Sequence, residues 1–270
     1  MGESPEAPSI ARMYDFYLGG TQHRAVDREA AREALALRPE LVDLSKANRA
    51  FLGRVVRFLT DAGIRQFIDI GAGLPTQDNV HQVAQRIAPG TRVVYIDKDP
   101  AAVERGQALL EGSDTARVIE GDLLDPPALL SDPRLRELID LDRPVAVLVL
   151  AILHFIPDDN RIRDALRHLV DAVAPGSHLA ISCGISEGLG DDARSLTSLY
   201  QGAFSTGRSI ADVHGFFAGV ELVDPGVVTL PLWHPDGRVQ DFRPEEMRIV
   251  GGVGRKPVVD REFPVPSSEA

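Results

Sequence analysis

The chain has 270 residues, of which 44% are hydrophobic and 26% charged, so it can bury a core without disulfides or structural metals. Its formal net charge of −11 argues against a broad nucleic-acid surface, because such a surface needs clustered Lys and Arg. Cys183 has no second cysteine to pair with, no signal peptide is recognisable, and the longest apolar run is too short to span a bilayer, so we expect a cytoplasmic protein without a membrane anchor.

The chain divides into four predicted segments. Residues 1–9 and 257–270 are rich in Pro, Glu and Ser, and we expect them to form disordered tails. Residues 10–63 carry apolar positions at helical spacing and form a predicted N-terminal helical cap. In this cap, Asp27 is the expected N-cap of a helix ending at Leu37, and Gly63 is the expected C-cap before the first strand. Residues 64–256 make up the main domain.

The main domain alternates strands with helices. Strands are predicted at 66–70, 92–96, 117–120, 144–151, 178–183, 220–223 and 248–253, and helices at 79–88, 100–111 and 159–173. The run 144–151 is almost continuously apolar, which is typical of a strand buried on both faces. This alternation predicts an α/β fold with a mostly parallel sheet and helices on both faces.

The first strand ends in a glycine turn of the kind that holds nucleotide-like cofactors. Gly71 and Gly73 would let the backbone approach a ligand, although a tight turn without a ligand would use the same glycines. A dinucleotide fingerprint would place a third glycine at Thr76, and Asp69 lies close to where a pyrophosphate would sit. Both features disfavour NAD and favour a cofactor with a positive charge and no phosphate, such as S-adenosylmethionine.

Acidic residues follow the next two strands. Asp97 ends the second strand, where a carboxylate can accept hydrogen bonds from both ribose hydroxyls. Asp99, followed by Pro100, is the better candidate for the helix N-cap, which leaves Asp97 available for a ribose. Asp122 follows the third strand, and it either starts a turn or accepts a hydrogen bond from an adenine amino group.

Three further features remain open at this level. His154 closes the fourth strand, where it could be a general base or a structural histidine bonded to the backbone. Asn48 and Arg49 could lie on a helix surface or clamp a carboxylate. Residues 11–20 could form a packing helix or a lid over a cofactor. The scattered histidines and single cysteine show no zinc-ligand spacing, so we expect no metal site.

Together these segments resemble the class I S-adenosylmethionine-dependent methyltransferases, and within them the S-adenosyl methyltransferase family that is abundant in actinobacteria. The resemblance is carried by residues 11–20, 47–51, 66–76 (which include Gly73-Leu74-Pro75-Thr76), 79–81, 94–100 and 153–158. It extends from about residue 10 to residue 254. It implies a Rossmann-like sheet of seven mostly parallel strands, of which the last is antiparallel.

The resemblance also implies a cofactor site. Asp69, Gly71 and Gly73 would surround the methionine moiety, Asp97 would hold the ribose, and Asp122 would lie near adenine. The N-terminal segment would cover the cofactor. The full set of predicted cofactor-binding residues is Tyr14, Tyr17, Gly19, Arg49, Asp69, Gly71, Ala72, Gly73, Pro75, Thr76, Asp97, Lys98, Asp99, Gly121, Asp122, Leu123, Ala151 and Ile152.

The sequence therefore predicts a methyltransferase that uses S-adenosylmethionine and acts on a small-molecule acceptor by in-line transfer, with His154 as the catalytic candidate. The alternative is a protein that binds S-adenosylmethionine without turnover, as a sensor or partner subunit. An NAD-dependent oxidoreductase is a third reading, weakened by Asp69 and Thr76. We expect no nucleic-acid partner, and a homodimer is left open.

Overall fold

The computed structural model describes residues 7–74, 78–186, 208–237 and 247–258. Two predicted cofactor-binding residues, Pro75 and Thr76, lie outside these described residues, as do most of the two predicted tails.

Helices and strands alternate through the main domain, as predicted. The helices are α1 (Ile10–Tyr17), α2 (Ala25–Leu37), α3 (Leu41–Asp61), α4 (Val80–Ile87), α5 (Pro100–Leu109), α6 (Pro126–Ser131), α7 (Pro133–Arg136), α8 (Asp159–Ala172) and α9 (Ile210–Gly215). The strands are β1 (Gln66–Ile70), β2 (Arg92–Asp97), β3 (Ala116–Glu120), β4 (Ala146–Leu150), β5 (His178–Gly184), β6 (Glu221–Leu222), β7 (Val228–Thr229) and β8 (Ile249–Arg255). All seven predicted strands are present, and their bounds agree with the observed ones within two residues.

The strands form one mostly parallel sheet in the order β3-β2-β1-β4-β5-β8-β6, with β7 paired to β8. Strands β1 to β5 pair in parallel, whereas β8 runs antiparallel to β5, β6 and β7. The predicted antiparallel last strand is confirmed. The described part of the sheet has eight strands rather than seven, because the two residues of β7 add a short ladder beside β8.

Helices cover both faces of the sheet, as predicted. Because side chains alternate along a strand, neighbouring strand residues face different cores. Ile68 and Val149 face a core completed by α6, α7, α8 and α9. Phe67 and Leu148 face a second core completed by α3, α4 and α5. No helix in the described part of the chain is long and apolar enough to cross a membrane.

The predicted helical cap, residues 10–63, has two parts. Helix α3 is a layer of the main domain, since Phe51 and Val55 are fully buried in the second core. Helices α1 and α2 instead form a separate apolar cluster that includes Met13, Tyr17 and Ala31. We call α1 and α2 the cap from here on.

Asp27 ties the two cap helices together and is not the N-cap that the sequence predicts. Arg24 is the N-cap of α2, and Asp27 is the third helical residue. Its carboxylate accepts hydrogen bonds from Arg12 Nε at 2.7 Å, Ser9 N at 2.9 Å and Arg24 N at 2.8 Å. Burial alone would raise the pKa of Asp27, but these donors hold it below its usual range. The C-cap of α3 is Ala62 rather than the predicted Gly63. Gly63 follows it with φ of +95°, at the position after the cap where helix ends favour glycine.

Candidate functional site

A cavity of about 800 Å³ opens at the carboxyl ends of β1, β2 and β4. The ends of these strands form its floor, α3 forms one wall, and α1 lies over it. Ligands of open α/β sheets bind at this edge, where neighbouring crossovers leave a crevice. The volume falls within the range of small-molecule and cofactor sites.

The glycine turn after β1 is shaped by close contacts as well as by its backbone angles. Gly71 has φ of +74° and Gly73 has φ of +66°, a region that favours glycine. A Cβ atom on Gly71 would lie 2.5 Å from Ile152 Cγ2. The turn is also hydrogen-bonded to β2, since Gly71 N donates to Ile96 O at 2.7 Å. Glycine at position 71 is therefore required by the fold.

Asp97, the last residue of β2, organises the turn. Its Oδ2 accepts a hydrogen bond from Gly73 N at 2.7 Å, and its Oδ1 accepts one from Asp99 N at 2.9 Å. Burial raises the pKa of Asp97 above its ordinary value, while these backbone donors act in the opposite direction. A carboxylate oxygen can accept more than one hydrogen bond, so both oxygens keep capacity for a pair of neighbouring hydroxyl groups.

Asp69 and Arg49 place opposite charges at the β1 end of the cavity. Burial raises the pKa of Asp69 to about 7, partly offset by the positive charge of Arg49 and reinforced by Asp97. Arg49 Nε is buried without a hydrogen-bond partner among the described residues. Buried polar groups are normally satisfied, so this guanidinium in the cavity wall could hold an anionic group.

Two other predicted acidic residues have observed structural roles. Asp99 caps α5, since its Oδ1 accepts a hydrogen bond from Ala101 N at 3.0 Å; this prediction is confirmed. Asp122 begins a turn in which its Oδ1 accepts from Leu124 N at 2.9 Å. Both also line the cavity. The turn role of Asp122 is therefore present, and its contact with adenine stays a prediction.

His154 lies on a single turn of 3₁₀ helix, Leu153–Phe155, that follows β4. Its Nδ1 accepts a hydrogen bond from Gly184 N at 3.1 Å. The neutral ring therefore carries its proton on Nε2. Burial, and then the charge of Arg208, lower the pKa of His154 to about 3. The ring is thus neutral near pH 7, and its basic nitrogen is already bonded to the backbone. These features favour the structural role of His154 over the role of a general base.

The N-terminal segment lies over the cavity, and its glycines are explained by the fold. Tyr14 and Tyr17 line the cavity, whereas Gly19 does not. Gly19 has φ of +74° and ends the turn after α1. A Cβ on Gly20 would lie 2.0 Å from Asp15 Oδ1. The Gly-Gly pair therefore builds a turn around the buried Asp15, and the contact of Gly19 with the cofactor stays a prediction.

All other predicted site residues that the structure describes meet at this cavity. They are Tyr14, Tyr17, Arg49, Asp69, Gly71, Ala72, Gly73, Asp97, Lys98, Asp99, Gly121, Asp122, Leu123, Ala151, Ile152 and His154. The described residues include no cluster of three or more His, Cys, Asp or Glu able to hold a metal ion.

Sequence reasoning missed Ser9, which belongs to the segment predicted to be disordered. Ser9 is the N-cap of α1, and its Oγ donates a hydrogen bond to Asp99 Oδ2 at 2.7 Å. The cap is thereby attached to the start of α5. A serine directly before an amphipathic helix is an N-cap signal that could have identified this residue.

A second missed group lies beside α5. Gly106 of α5 packs directly against β3, where a Cβ would lie 2.7 Å from Val118 Cγ2, and Gly106, Leu110 and Val118 all line the cavity. These residues form an apolar part of the cavity wall where α5 packs on β3. Glycine inside a helix was the available signal, since it often marks close packing.

Comparisons with known proteins agree on one family. A family model described as S-adenosyl methyltransferase matches residues 4–257. The chain is similar to a protein of Thermobifida fusca YX that is provisionally described as a methyltransferase, with 37% identity, a TM-score of 0.86 and coverage of 93% of this chain and 96% of that chain. It is also similar to a DUF574 family protein of Streptomyces avermitilis, with 39% identity, a TM-score of 0.86 and coverage of 93% and 98%.

A more distant structure shares the fold alone. It is an O-methyltransferase family protein of Burkholderia thailandensis, with 16% identity, a TM-score of 0.52 and coverage of 91% of this chain and 76% of that chain. No curated protein matches the chain.

Proposed function

The chain belongs to the S-adenosyl methyltransferase family, and we propose that it methylates a small molecule held at the carboxyl ends of β4 and β5. The family establishes the two general predictions, that the protein is a methyltransferase and that its cofactor is S-adenosylmethionine. The position of each cofactor group, and the nature of the acceptor, are our proposals.

The residues of the cavity fit this cofactor. The unpartnered Arg49 Nε suits the carboxylate of the methionine moiety, and Asp69 suits its ammonium group. The two oxygens of Asp97, already aimed by Gly73 N and Asp99 N, suit the ribose hydroxyls. This arrangement of one guanidinium with an unsatisfied Nε and two buried carboxylates around the glycine turn is the observation that carries the proposal.

The proposed place for the adenine end is the apolar cavity wall where α5 packs on β3. Gly106, Leu110 and Val118 offer an apolar surface to a flat ring, and Asp122 also lines the cavity. Aromatic rings of nucleotides gain affinity from such apolar contact, while a nearby carboxylate can accept from an amino group.

The protein's main task in the reaction is alignment. When bound, S-adenosylmethionine supplies a methyl group on a sulfonium, which needs no further activation. The chain then has to hold the acceptor in line with that methyl group and keep water out. We therefore propose that His154 orients the acceptor rather than removing its proton, since its Nδ1 accepts from Gly184 N.

The acceptor side of the cavity is mainly apolar. Its walls are contributed by α3, by the turn after β4, and by the ends of β5 and β8, through Leu41, Leu44, Phe155, Ile185 and Ile249. The cap lies over this space, which suits a small molecule better than a protein or nucleic acid. We also propose a cytoplasmic location, on the ground of the unpaired Cys183.

Turnover tests the proposal. The full chain should be incubated with S-adenosylmethionine carrying a labelled methyl group, together with the small-molecule fraction of a cell extract. We expect the label to enter a small acceptor and S-adenosylhomocysteine to accumulate, and the variant Asp97→Ala to do neither. Tight binding of S-adenosylmethionine without transfer to any fraction would favour the sensor alternative instead.

A further inference from the structure

A chain of hydrogen bonds connects the cap to the end of β4 through three side chains. Ala151 N donates to Ser182 Oγ at 2.9 Å, and Ser182 Oγ donates to Asn48 Oδ1 at 2.6 Å. Asn48 Nδ2 donates to Tyr14 Oη at 3.0 Å, and Tyr14 Oη donates to Ser45 O at 3.1 Å. This chain of hydrogen bonds thus runs from the end of β4 through β5 and α3 to α1.

Each hydroxyl proton in this chain has one assigned acceptor, so the direction of the bonds is fixed. Ser182 is fully buried and Asn48 is 5% exposed. The Asn48 amide uses its oxygen toward the sheet and its nitrogen toward the cap. Ala151 N also donates to Ser182 O at 3.0 Å, so it keeps a partner without the Ser182 hydroxyl. Loss of the Ser182–Asn48 or Asn48–Tyr14 bond, by contrast, leaves a buried amide atom of Asn48 without a partner, which disfavours other arrangements. The Tyr14 hydroxyl is therefore committed to the protein, and only its ring is left for a ligand.

Both ends of the chain lie at the cofactor cavity. Ala151 has φ of +55°, a region that costs a residue with a Cβ some conformational energy. The next residue, Ile152, lies against the α-carbon of Gly71, so the backbone held by Ser182 supports the glycine turn. At the other end, Tyr14 belongs to the helix that lies over the cavity.

We propose that Asn48 and Ser182 are positioning residues that hold the cap over the cofactor and keep the turn after β4 in register with it. They act through Tyr14 and through the backbone of Ala151, and neither needs to touch the cofactor. This inference rests on the proposed function, because it assumes that S-adenosylmethionine occupies the cavity. The inference predicts that loss of any one of these hydrogen bonds has the same effect on cofactor release as loss of several.

The test measures how fast labelled S-adenosylmethionine leaves the full-length protein when unlabelled S-adenosylhomocysteine is added in excess. The variants are Tyr14→Phe, Ser182→Ala and the double variant. Ser177→Ala is the matched control, because Ser177 Oγ also accepts a backbone N–H, from Val145 at 3.1 Å. Ser177 is equally buried but lies at the opposite end of the β4–β5 pair. Urea unfolding reports the stability of every variant.

We expect each single variant to release the cofactor about fivefold to tenfold faster, the factor for one broken buried hydrogen bond. The double variant should be no faster than the faster single variant, because one break already disables the unit. Ser177→Ala should lose stability yet release the cofactor at the wild-type rate.

Three results would overturn the inference: release as fast from Ser177→Ala as from Ser182→Ala, rate increases that multiply in the double variant, or unchanged release in all variants. Each of these leaves the proposed function intact. Failure of the wild-type protein to bind S-adenosylmethionine would instead overturn the proposed function, and the inference with it.

Discussion

Replacing Asp69 with Asn should stabilise the ligand-free protein at neutral and alkaline pH. In the folded protein, burial raises the pKa of Asp69 from its ordinary 3.8 to about 7. Folding therefore disfavours the charged form. The resulting loss of stability is absent below about pH 4, grows as the pH rises through about 7, and is then complete. At 1.36 kcal/mol for each pKa unit, it amounts to about 4 kcal/mol.

The assay is urea unfolding of the ligand-free wild type and Asp69→Asn at pH 5 and pH 8. The stability advantage of the variant should increase by about 3 kcal/mol between these two values, because most of the wild-type ionisation falls between them. Asp164→Asn is the control, since Asp164 is an exposed carboxylate on α8 with 70% of its side chain accessible. It should show no comparable pH dependence.

The same substitution should weaken S-adenosylmethionine binding. An ammonium group beside Asp69 favours the ionised carboxylate, so wild-type affinity should rise as the pH passes through about 7. The Asn variant should lose this rise. An advantage of Asp69→Asn that does not change between pH 5 and pH 8 would refute the burial argument. Wild-type affinity that is independent of pH would refute the ammonium assignment.

Three further substitutions test the remaining parts of the site. Asp97→Ala should weaken S-adenosylmethionine binding at least about tenfold in calorimetry, because two hydrogen bonds to charged oxygens are lost; unchanged affinity would refute the ribose assignment. Arg49→Ala should abolish the preference for S-adenosylmethionine over its decarboxylated analogue, and a preference that persists would mean that another group binds the carboxylate. Gly71→Ala should lower the free energy of unfolding by about 2 to 4 kcal/mol, since its Cβ would lie 2.5 Å from Ile152 Cγ2. Gly112→Ala is its control, because Gly112 has a similar φ of +77° but a Cβ there would meet no atom within 4 Å. This control should lower the free energy of unfolding by only about 1 kcal/mol, and equal losses in the two variants would contradict the steric argument.

The sequence predicted the main sheet well because its strands carry a strong signal. Strand β1 has the bounds that were predicted, since its apolar residues are buried on both faces. Strand β7 was missed because its two residues, Val228–Thr229, are too few to show the alternating pattern of a strand. Helices α6 and α7 were also missed, although each begins with an Asp N-cap before Pro. Their six and four residues are too short for a helical pattern.

The sequence predicted the charged residues and the glycine turn of the site. It did not predict the hydrogen bonds between side chains within the site. Asp69, Gly71 and Asp97 could be placed because each lies within two residues of the carboxyl end of a predicted strand. The partnership of Asn48 with Ser182 joins residues 134 positions apart, and nothing local to either residue signals it. For the same reason, the hydrogen bond from Gly184 N that fixes the tautomer of His154 could not be derived from the residues around His154.

The most direct test of the account is calorimetry of the full chain with S-adenosylmethionine, S-adenosylhomocysteine and NAD. The arrangement of Arg49, Asp69 and Asp97 predicts binding of both adenosyl compounds, loss of that binding in Asp97→Ala, and no binding of NAD. Binding of NAD together with failure to bind either adenosyl compound would contradict the central claim.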